Sequence, residues 1–215
     1  KISSMSVIKE AYQWRYSTKK FDSKKSLSKE KLQCLLDTIE YSATSYGLQL
    51  YKVFIVSNPS VKEKMMQASW NQAQVKDAPY TLVLSRNDRF KAEDIENYIQ
   101  LAMEKRSVKK ESMEGFKNML TNHKDKTSEQ ALETWMNAQL YILLGKLLAT
   151  CALEKIDSCP MEGFIKHEID SILSLEEKGY KSVLLLPVGY RDESDKYAQL
   201  PKLRKEPANV IELID

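Results

Sequence analysis

The sequence predicts a layered α+β or α/β domain, and three observations carry that expectation. Short runs rich in β-branched, aromatic and aliphatic residues stand far apart: "YKVFIV" at 51–56, "YTLVLS" at 80–85 and "VLLLPV" at 183–188. Between them, apolar residues recur every three or four positions, the spacing of one helix face. Gly and Pro number only 6 each in 215 residues, which disfavours long structureless stretches and favours helix. Strands divided by helices bury a sheet under helical layers. A chain of this length can fill one core, and no linker divides it, so 1–215 reads as one domain.

Val7, Ile8, Ala11, Tyr12 and Trp14 predict a first short helix that ends near "RYSTKKF". Leu32, Leu35, Leu36 and Ile39 predict a second, with Ser28 placed to cap it. The loop "YSATSYGLQ" leads into the first strand, and Asn58-Pro59 opens another helix, proline suiting its first turn. The polar "WNQAQVKDAP" precedes the second strand. Residues 91–123 are charged and helical in pattern, with Gly115 as the expected break. The longest helix runs from Glu129 to Lys155, and Leu132, Trp135, Met136, Leu140, Leu143, Leu144, Leu147 and Cys151 cover more than one stripe. Such a helix is buried, centrally or against a second subunit; the second is favoured, because few elements are left to surround it. After the link "KIDS" and "CPMEGF", Ile165, Ile169, Ile172 and Leu173 predict a last helix. The third strand is almost continuously apolar and therefore central. "NVIELI", close to the C-terminus, reads as an edge strand.

Net charge is +3, from 33 basic and 30 acidic residues. So even a balance argues against binding driven by nucleic acid, and any anion site must come from local arrangement. Cys34, Cys151 and Cys159 have no CxxC spacing and lie among apolar neighbours, so they read as buried free thiols in a reducing compartment. His123 and His167 lack ligand-spaced partners, and no metal site is expected. No charged-then-apolar leader opens the sequence. The most apolar run, Leu140 to Leu153, is interrupted by Gly145 and Lys146. A soluble, cytoplasmic protein is the expectation.

No GxGxxG, P-loop, GxSxG or HExxH motif is present, so the hard chemistry of any enzyme here would fall to a bound cofactor. "RYSTKKF" offers a guanidinium fork, hydroxyls and amides to a phosphate, or is a solvated basic loop. "PKLR" at 201–204 is a second small basic cluster with the same two readings. "ATSYGLQ" admits a flat ligand or simply connects helix to strand; "NQAQ" offers amides to a heteroaromatic edge or is a polar loop; "PMEGF" is a tight turn or a backbone donor facing a cleft.

Taken in order, these pieces resemble the nitroreductase family of flavin enzymes, in its oxygen-insensitive NAD(P)H-dependent branch. Seven carry the likeness: "RYSTKKFD" from Arg15, "YSATSYGLQ" from Tyr41, "WNQAQ" from Trp70, "PMEGF" from Pro160, "EKGYKS" from Glu177, "LLPVG" from Leu185 and "LPKLR" from Leu200. The resemblance implies an α+β fold with a central mixed sheet flanked by helices. It also implies an intertwined homodimer with FMN at the subunit interface and a C-terminal segment, about 195–215, wrapping the partner. NADH or NADPH would reduce FMN, and a nitroaromatic, quinone or flavin would then take the electrons. Carried over by position, Arg15 and Ser17 would hold the FMN phosphate and ribityl chain with Lys202 and Arg204, and Tyr16 would add a backbone contact. Lys19 would sit by the pyrimidine edge, favouring the negative charge that develops there, and Asn71 would bond the same edge. Pro160, Glu162 and Gly163 would line the other side, with a backbone N–H of Glu162 or Gly163 directed at the reacting nitrogen. Lys19, Glu162 and Gly163 are thus the implied catalytic positions. Thr44 and Ser45, from the other subunit, would close the pocket, and Gly47 would meet the ribityl chain through its backbone where relatives use a side chain. Gly47, Leu50 and Gln74 depart from the family's usual residues, and a neutral Gln74 would stabilise a reduced anion less than the lysine of some relatives. The segment 91–126 would cover the acceptor, with Phe116, Met119 or Leu120 able to line its pocket.

Two other classes compete. Lys19, Lys20, Lys24, Lys25, Lys29 and Lys31 could form a nucleic-acid surface, although aromatic residues are not interleaved with them. A non-enzymatic homodimer could keep the fold without FMN.

Overall fold

The computed structural model describes residues 4–214, so residues 1–3 and 215 of the expected domain lie outside it. Two of the expected helices begin at the caps the sequence supplies. Helix α1 covers Ser4–Trp14 and α2 covers Lys29–Glu40, where the Ser28 hydroxyl accepts from Lys31 N at 3.3 Å. Strand β1, Tyr51–Val56, leads to α3, Pro59–Gln67, whose cap Asn58 accepts from Ser60 N and Val61 N at 3.0 and 3.2 Å. A short α4, Gln74–Asp77, lies where the sequence reads only as polar; one turn is too brief for a period to show. Strand β2 is Tyr80–Asn87.

The segment over 91–126 is a helix pair, α5 (Ala92–Arg106) and α6 (Lys110–Lys126). The break falls at Ser107, in the left-handed region at φ 53°, and not at Gly115, which sits inside α6 with open space around it. Helix α7 is Glu129–Leu153, capped by Ser128. The "KIDS" link carries an unexpected two-residue strand, β3 (Asp157–Ser158), again below the length at which alternation is legible. Helix α8 (Lys166–Leu173) and strand β4 (Tyr180–Gly189) complete the frame.

The sheet order is β1-β2-β4-β3, so β4 is internal, as its apolar run predicts. All four strands pair antiparallel; the parallel component of this mixed sheet is one bridge, Ser17 with Ser158. Alternation sends Leu82, Leu84, Leu184, Leu186 and Val188 to one face, against Leu140, Leu143 and Leu147 of α7. Val83 and Leu185 point the other way, against Met65 of α3 and Ile169 of α8. A bulge between Leu84 and Ser85 leaves Val183 unpaired in the register and puts it on the α7 face beside Leu184. Burying a leucine contributes about 1.5–3 kcal/mol, so the three α7 leucines on the sheet dominate that helix's placement.

Helix α7 is long and apolar enough to cross a bilayer by length and composition, yet it is the central helix of a packed layer. It is buried by this chain along one side, while Tyr141, Ile142 and Leu153 stay exposed on another. The sheet and α2 supply the cover on the buried side. Beside the exposed strip, α1 presents Val7, Ile8 and Tyr12. The C-terminal residues Leu203, Val210, Ile211, Leu213 and Ile214 are exposed too, and the expected edge strand "NVIELI" pairs with no strand among the described residues. A third cluster, with Leu50, Phe90, Ile95, Ile99, Leu120 and Met136, lies under α5 and α6. Cys151 and Cys159 are buried, whereas Cys34 is half-buried, because α2 turns it toward the edge of its packed face.

Candidate cofactor site

Arg15 leaves the end of α1 with its backbone N–H still bonded to Ala11 O at 3.1 Å. Nearly two hundred residues later, Lys202 and Arg204 return to it. Arg15, Tyr16, Ser17, Lys19, Tyr197, Leu200, Pro201, Lys202 and Arg204 together line a cleft of about 280 Å³. It adjoins a larger one of about 780 Å³, in which Arg15, Lys202 and Arg204 face the apolar Ile8, Tyr12, Leu148 and Ala149. Among the described residues, no carboxylate lines either cleft. The cations accordingly disfavour one another. Burial pulls the Arg15 guanidinium below its ordinary pKa and the nearby Arg204 adds to this; burial lowers Lys202 as well, followed by Arg15 and Arg204. The Arg15 Nε is buried without a partner. Concentrated positive charge with an unmet donor fits a phosphate, which would satisfy the donor and relieve the repulsion.

Two buried carboxylates, neither singled out by the sequence, shape the wall. Asp195 Oδ2 accepts from the Tyr16 hydroxyl at 2.8 Å and from the backbone of Lys19 and Lys20 at 2.9 and 3.0 Å. Its Oδ1 accepts from Tyr197 N at 3.1 Å. Burial raises the Asp195 pKa, but these donors outweigh it and hold the carboxyl below its ordinary value. Burial and the same bond push the Tyr16 phenol well up. Asp157 accepts from Arg191 Nε at 2.8 Å and Arg191 N at 2.9 Å, and from the Thr18 hydroxyl at 3.3 Å. The Arg191 guanidinium in turn stacks on Trp14 and Tyr16, 4.4 and 4.6 Å from their ring centres.

Lys19 and Lys20 are both exposed, but their ammonium groups go to different places: Lys20 pairs with Asp192 at 3.5 Å and with the Ser194 hydroxyl. The Lys19 ammonium lies 3.8 Å from Cys159 Sγ. Burial raises the Cys159 thiol despite Lys19, so it faces the ammonium as a neutral group. The Gln74 side chain also reaches Cys159, and its Nε2 donates to Gln72 Oε1 at 3.0 Å; Gln72 Nε2 donates to Gly163 O at 2.9 Å. This polar chain joins the basic cleft to the segment holding Pro160, Glu162 and Gly163. A Cβ at Gly163 would come 2.7 Å from the Trp70 ring, so glycine alone lets that backbone lie so close. Asn71 is exposed and held at φ 57°, and Gln74 is buried, a wall residue and not a free amide. The Glu162 carboxylate accepts from the Tyr141 hydroxyl of α7 at 2.7 Å, a bond that pushes the phenol up to about 12.

Thr44, Ser45 and Gly47 stand elsewhere. Ser45 N donates to Gln139 Oε1 of α7 at 2.8 Å, and the Thr44 hydroxyl accepts from Gln49 N at 3.1 Å. Gly47 turns the chain at φ 74° against the Tyr98 ring. None of the three lines the basic cleft. Near them Tyr46, Phe116, His123 and Trp135 form an aromatic cluster. Leu120 is fully buried in the core beneath it and lines no pocket, whereas Met119 is exposed. Among the described residues no group of three His, Cys, Asp or Glu side chains could hold a metal.

A family model described as the nitroreductase family matches residues 12–190. A Staphylococcus haemolyticus protein whose name carries "NAD(P)H nitroreductase" is 31% identical over 224 residues, covering 99% of each chain. The major NAD(P)H-flavin oxidoreductase of Aliivibrio fischeri is 29% identical over 210 residues, covering 93% of this chain and 95% of its own. A crystal structure from Exiguobacterium sibiricum, described in complex with FMN, superposes with a TM-score of 0.80 at 18% identity, covering 100% of this chain and 98% of that one.

Proposed function

Because the chain belongs to the nitroreductase family, we propose that it is an FMN-dependent NAD(P)H oxidoreductase whose FMN phosphate sits among Arg15, Ser17, Lys202 and Arg204. The observation that carries this reading is the basic cleft, where cations from distant segments converge and no carboxylate of the described residues lines the walls. When bound, FMN would supply two-electron transfer from NADH or NADPH to a nitroaromatic, quinone or flavin acceptor. The protein's own part is to bind, orient and polarise. Arg15 with its unmet Nε would take a phosphate oxygen, and the Ser17 hydroxyl is placed to add a bond. Lys19 would offer its ammonium to the pyrimidine edge, where charge accumulates on reduction, and the neutral Cys159 does not compete for that charge. Gly163, pressed on Trp70 and anchored through Gln72, presents a backbone fixed in position.

The functional unit is a homodimer in this reading. Its supports are the exposed apolar strip of α1 and α7, the unpaired apolar C-terminal segment over about 195–215, and the distance in this fold between the basic cleft and Thr44, Ser45 and Gly47. A partner's Thr44–Gly47 loop would complete each cleft, and the helices over 91–126 would cover the acceptor. Free thiols suit the reducing cytoplasm. Nucleic acid is disfavoured: the Lys19 ammonium lies beside Cys159, and Lys20 and Lys25 are paired with Asp192 and Asp22, which interrupts the positive charge of the lysine-rich third.

The purified protein should be yellow, with a flavin absorbance near one FMN per subunit. A colourless protein that takes up no added FMN would sink the reading. Light scattering on the FMN-loaded protein should give twice the 24.8 kDa chain mass. A monomer that retains full FMN affinity would overturn the shared site. Stopped-flow reduction by each nicotinamide, then reoxidation by nitroaromatics, quinones and free flavin, ranks the substrates.

A further inference from the structure

We propose that Asp195 is the positioning residue of the phosphate cleft, and that its hydrogen bonds set the site's preference for phosphorylated over unphosphorylated flavin. The proposal rests on the FMN reading and adds what assembles that site.

The cleft is made from two segments that have no reason to stay together. Arg15, Lys202 and Arg204 line one cleft as like charges; burial is the larger cause of the lowered pKa of Arg15 and of Lys202, and their mutual repulsion adds to it. Upstream, the segments are stitched by Asp22 N to Tyr190 O at 2.8 Å and Asp192 N to Lys20 O at 2.9 Å. Those bonds fix residues 20–22 against 190–192 and do not reach the cleft. Beyond them, Asp195 is the tether. Its Oδ2 gathers Tyr16, Lys19 and Lys20 from the N-terminal loop, and its Oδ1 holds Tyr197 at the start of the turn that delivers Leu200, Pro201 and Lys202. The side chain is only 4% exposed, so water does not compete freely for these bonds.

The chemistry of the donors matters. Asp195 spends its acceptor capacity on a phenol and three backbone N–H groups, and makes no ion pair with Arg15, Lys202 or Arg204. It anchors the cations without neutralising them, which leaves their charge for a ligand. Asparagine cannot replace it. Its one oxygen can face only one of the two donor sets, and its NH₂ would meet the other set donor to donor.

The test measures the dissociation constants of FMN and riboflavin, by quenching of flavin fluorescence, for wild type, Asp195→Asn and Tyr16→Phe. Wild type should prefer FMN. Asp195→Asn should lower the riboflavin-to-FMN ratio of constants roughly tenfold or more, since several charge-assisted bonds are lost or inverted. Tyr16→Phe removes one bond and should lower it by less. General loosening of the fold would weaken both flavins together and leave the ratio in place. An unchanged ratio in both variants overturns the proposal while leaving the FMN reading intact. Wild type that binds neither flavin defeats the FMN reading instead. If Asp195→Asn does not fold, Tyr16→Phe decides alone: a lowered ratio supports the tether and an unchanged one rejects it.

Discussion

The basic cleft and the aromatic cluster beneath α5 and α6 are built by opposite means. The cleft is fixed by directional bonds between residues more than a hundred positions apart: Tyr16 and Lys19 with Asp195, and Thr18 with Asp157. The aromatic cluster is held by ring packing. Trp135 lies 5.8 Å from Phe90 and 5.0 Å from His123, with Tyr46 tilted against it at 6.3 Å. Hydrogen bonds to charged groups lose their worth over a few tenths of an ångström, whereas ring contacts tolerate sliding. A site for one invariant cofactor suits the first construction, and a cover for acceptors of varied shape suits the second. The difference divides the molecule into a specified end and an adaptable end.

The largest expected effect tests the specified end. Asp157→Ala strips Arg191 of its buried partner and should cost about 3 kcal/mol of stability in urea unfolding, with FMN affinity falling as well. A loss below about 1 kcal/mol would mean that the Trp14 and Tyr16 rings hold Arg191 by themselves. Next, Leu120→Ala removes a fully buried side chain from the adaptable end and should cost about 2–3 kcal/mol. FMN affinity should stay within about twofold, because no residue of the cleft packs on Leu120. A parallel fall in affinity would join the two ends into one unit and break the division.

Smaller again, Arg15→Ala should weaken FMN retention by about 1.5–3 kcal/mol while leaving thermal unfolding of the FMN-free protein unmoved or slightly raised, since it removes a repelled charge. Equal retention would remove Arg15 from the phosphate site. The smallest effect is expected of Tyr141→Phe, which deletes one bond to an exposed carboxylate and should cost about 0.5–1 kcal/mol. Should the turnover rate fall while stability holds, Glu162 needs that bond to stay in place during reaction. Iodoacetamide sharpens the burial pattern independently: Cys34 should be modified in the native protein, while Cys151, with its thiol pushed up to about 12, and Cys159 should react only on unfolding.

Much of the frame is legible in the sequence because it is encoded locally. Ser28, Asn58 and Ser128 announce helix starts through hydroxyl and amide caps that bond within three residues. The continuous apolar run of β4 announces how deeply that strand is buried. Short pieces escape. Strand β3 and helix α4 are shorter than the window in which any period repeats, and the α5–α6 break at Ser107 lacks the glycine that usually marks one. In the site, the pairing of "RYSTKKF" with "PKLR" follows from the family likeness, and the structure puts Arg15 and Lys202 in one cleft. Asp195, Asp157 and Arg191 carry no such signal, since a charged residue in a polar loop looks the same whether it faces water or a distant backbone.

By itself, then, the sequence determined where most of the longer helices and strands lie, which of their faces are apolar, and to which family the ordered motifs belong. Only the tertiary structure decided that the Lys19 ammonium lies beside Cys159 while that of Lys20 lies beside Asp192, that one carboxylate fastens two distant segments, and that Thr44, Ser45 and Gly47 sit apart from the cleft. The reason is one of range. Backbone propensity and hydrophobic period act over a few residues, whereas the Tyr16–Asp195 bond joins groups 179 positions apart and exists only once the core has brought them together.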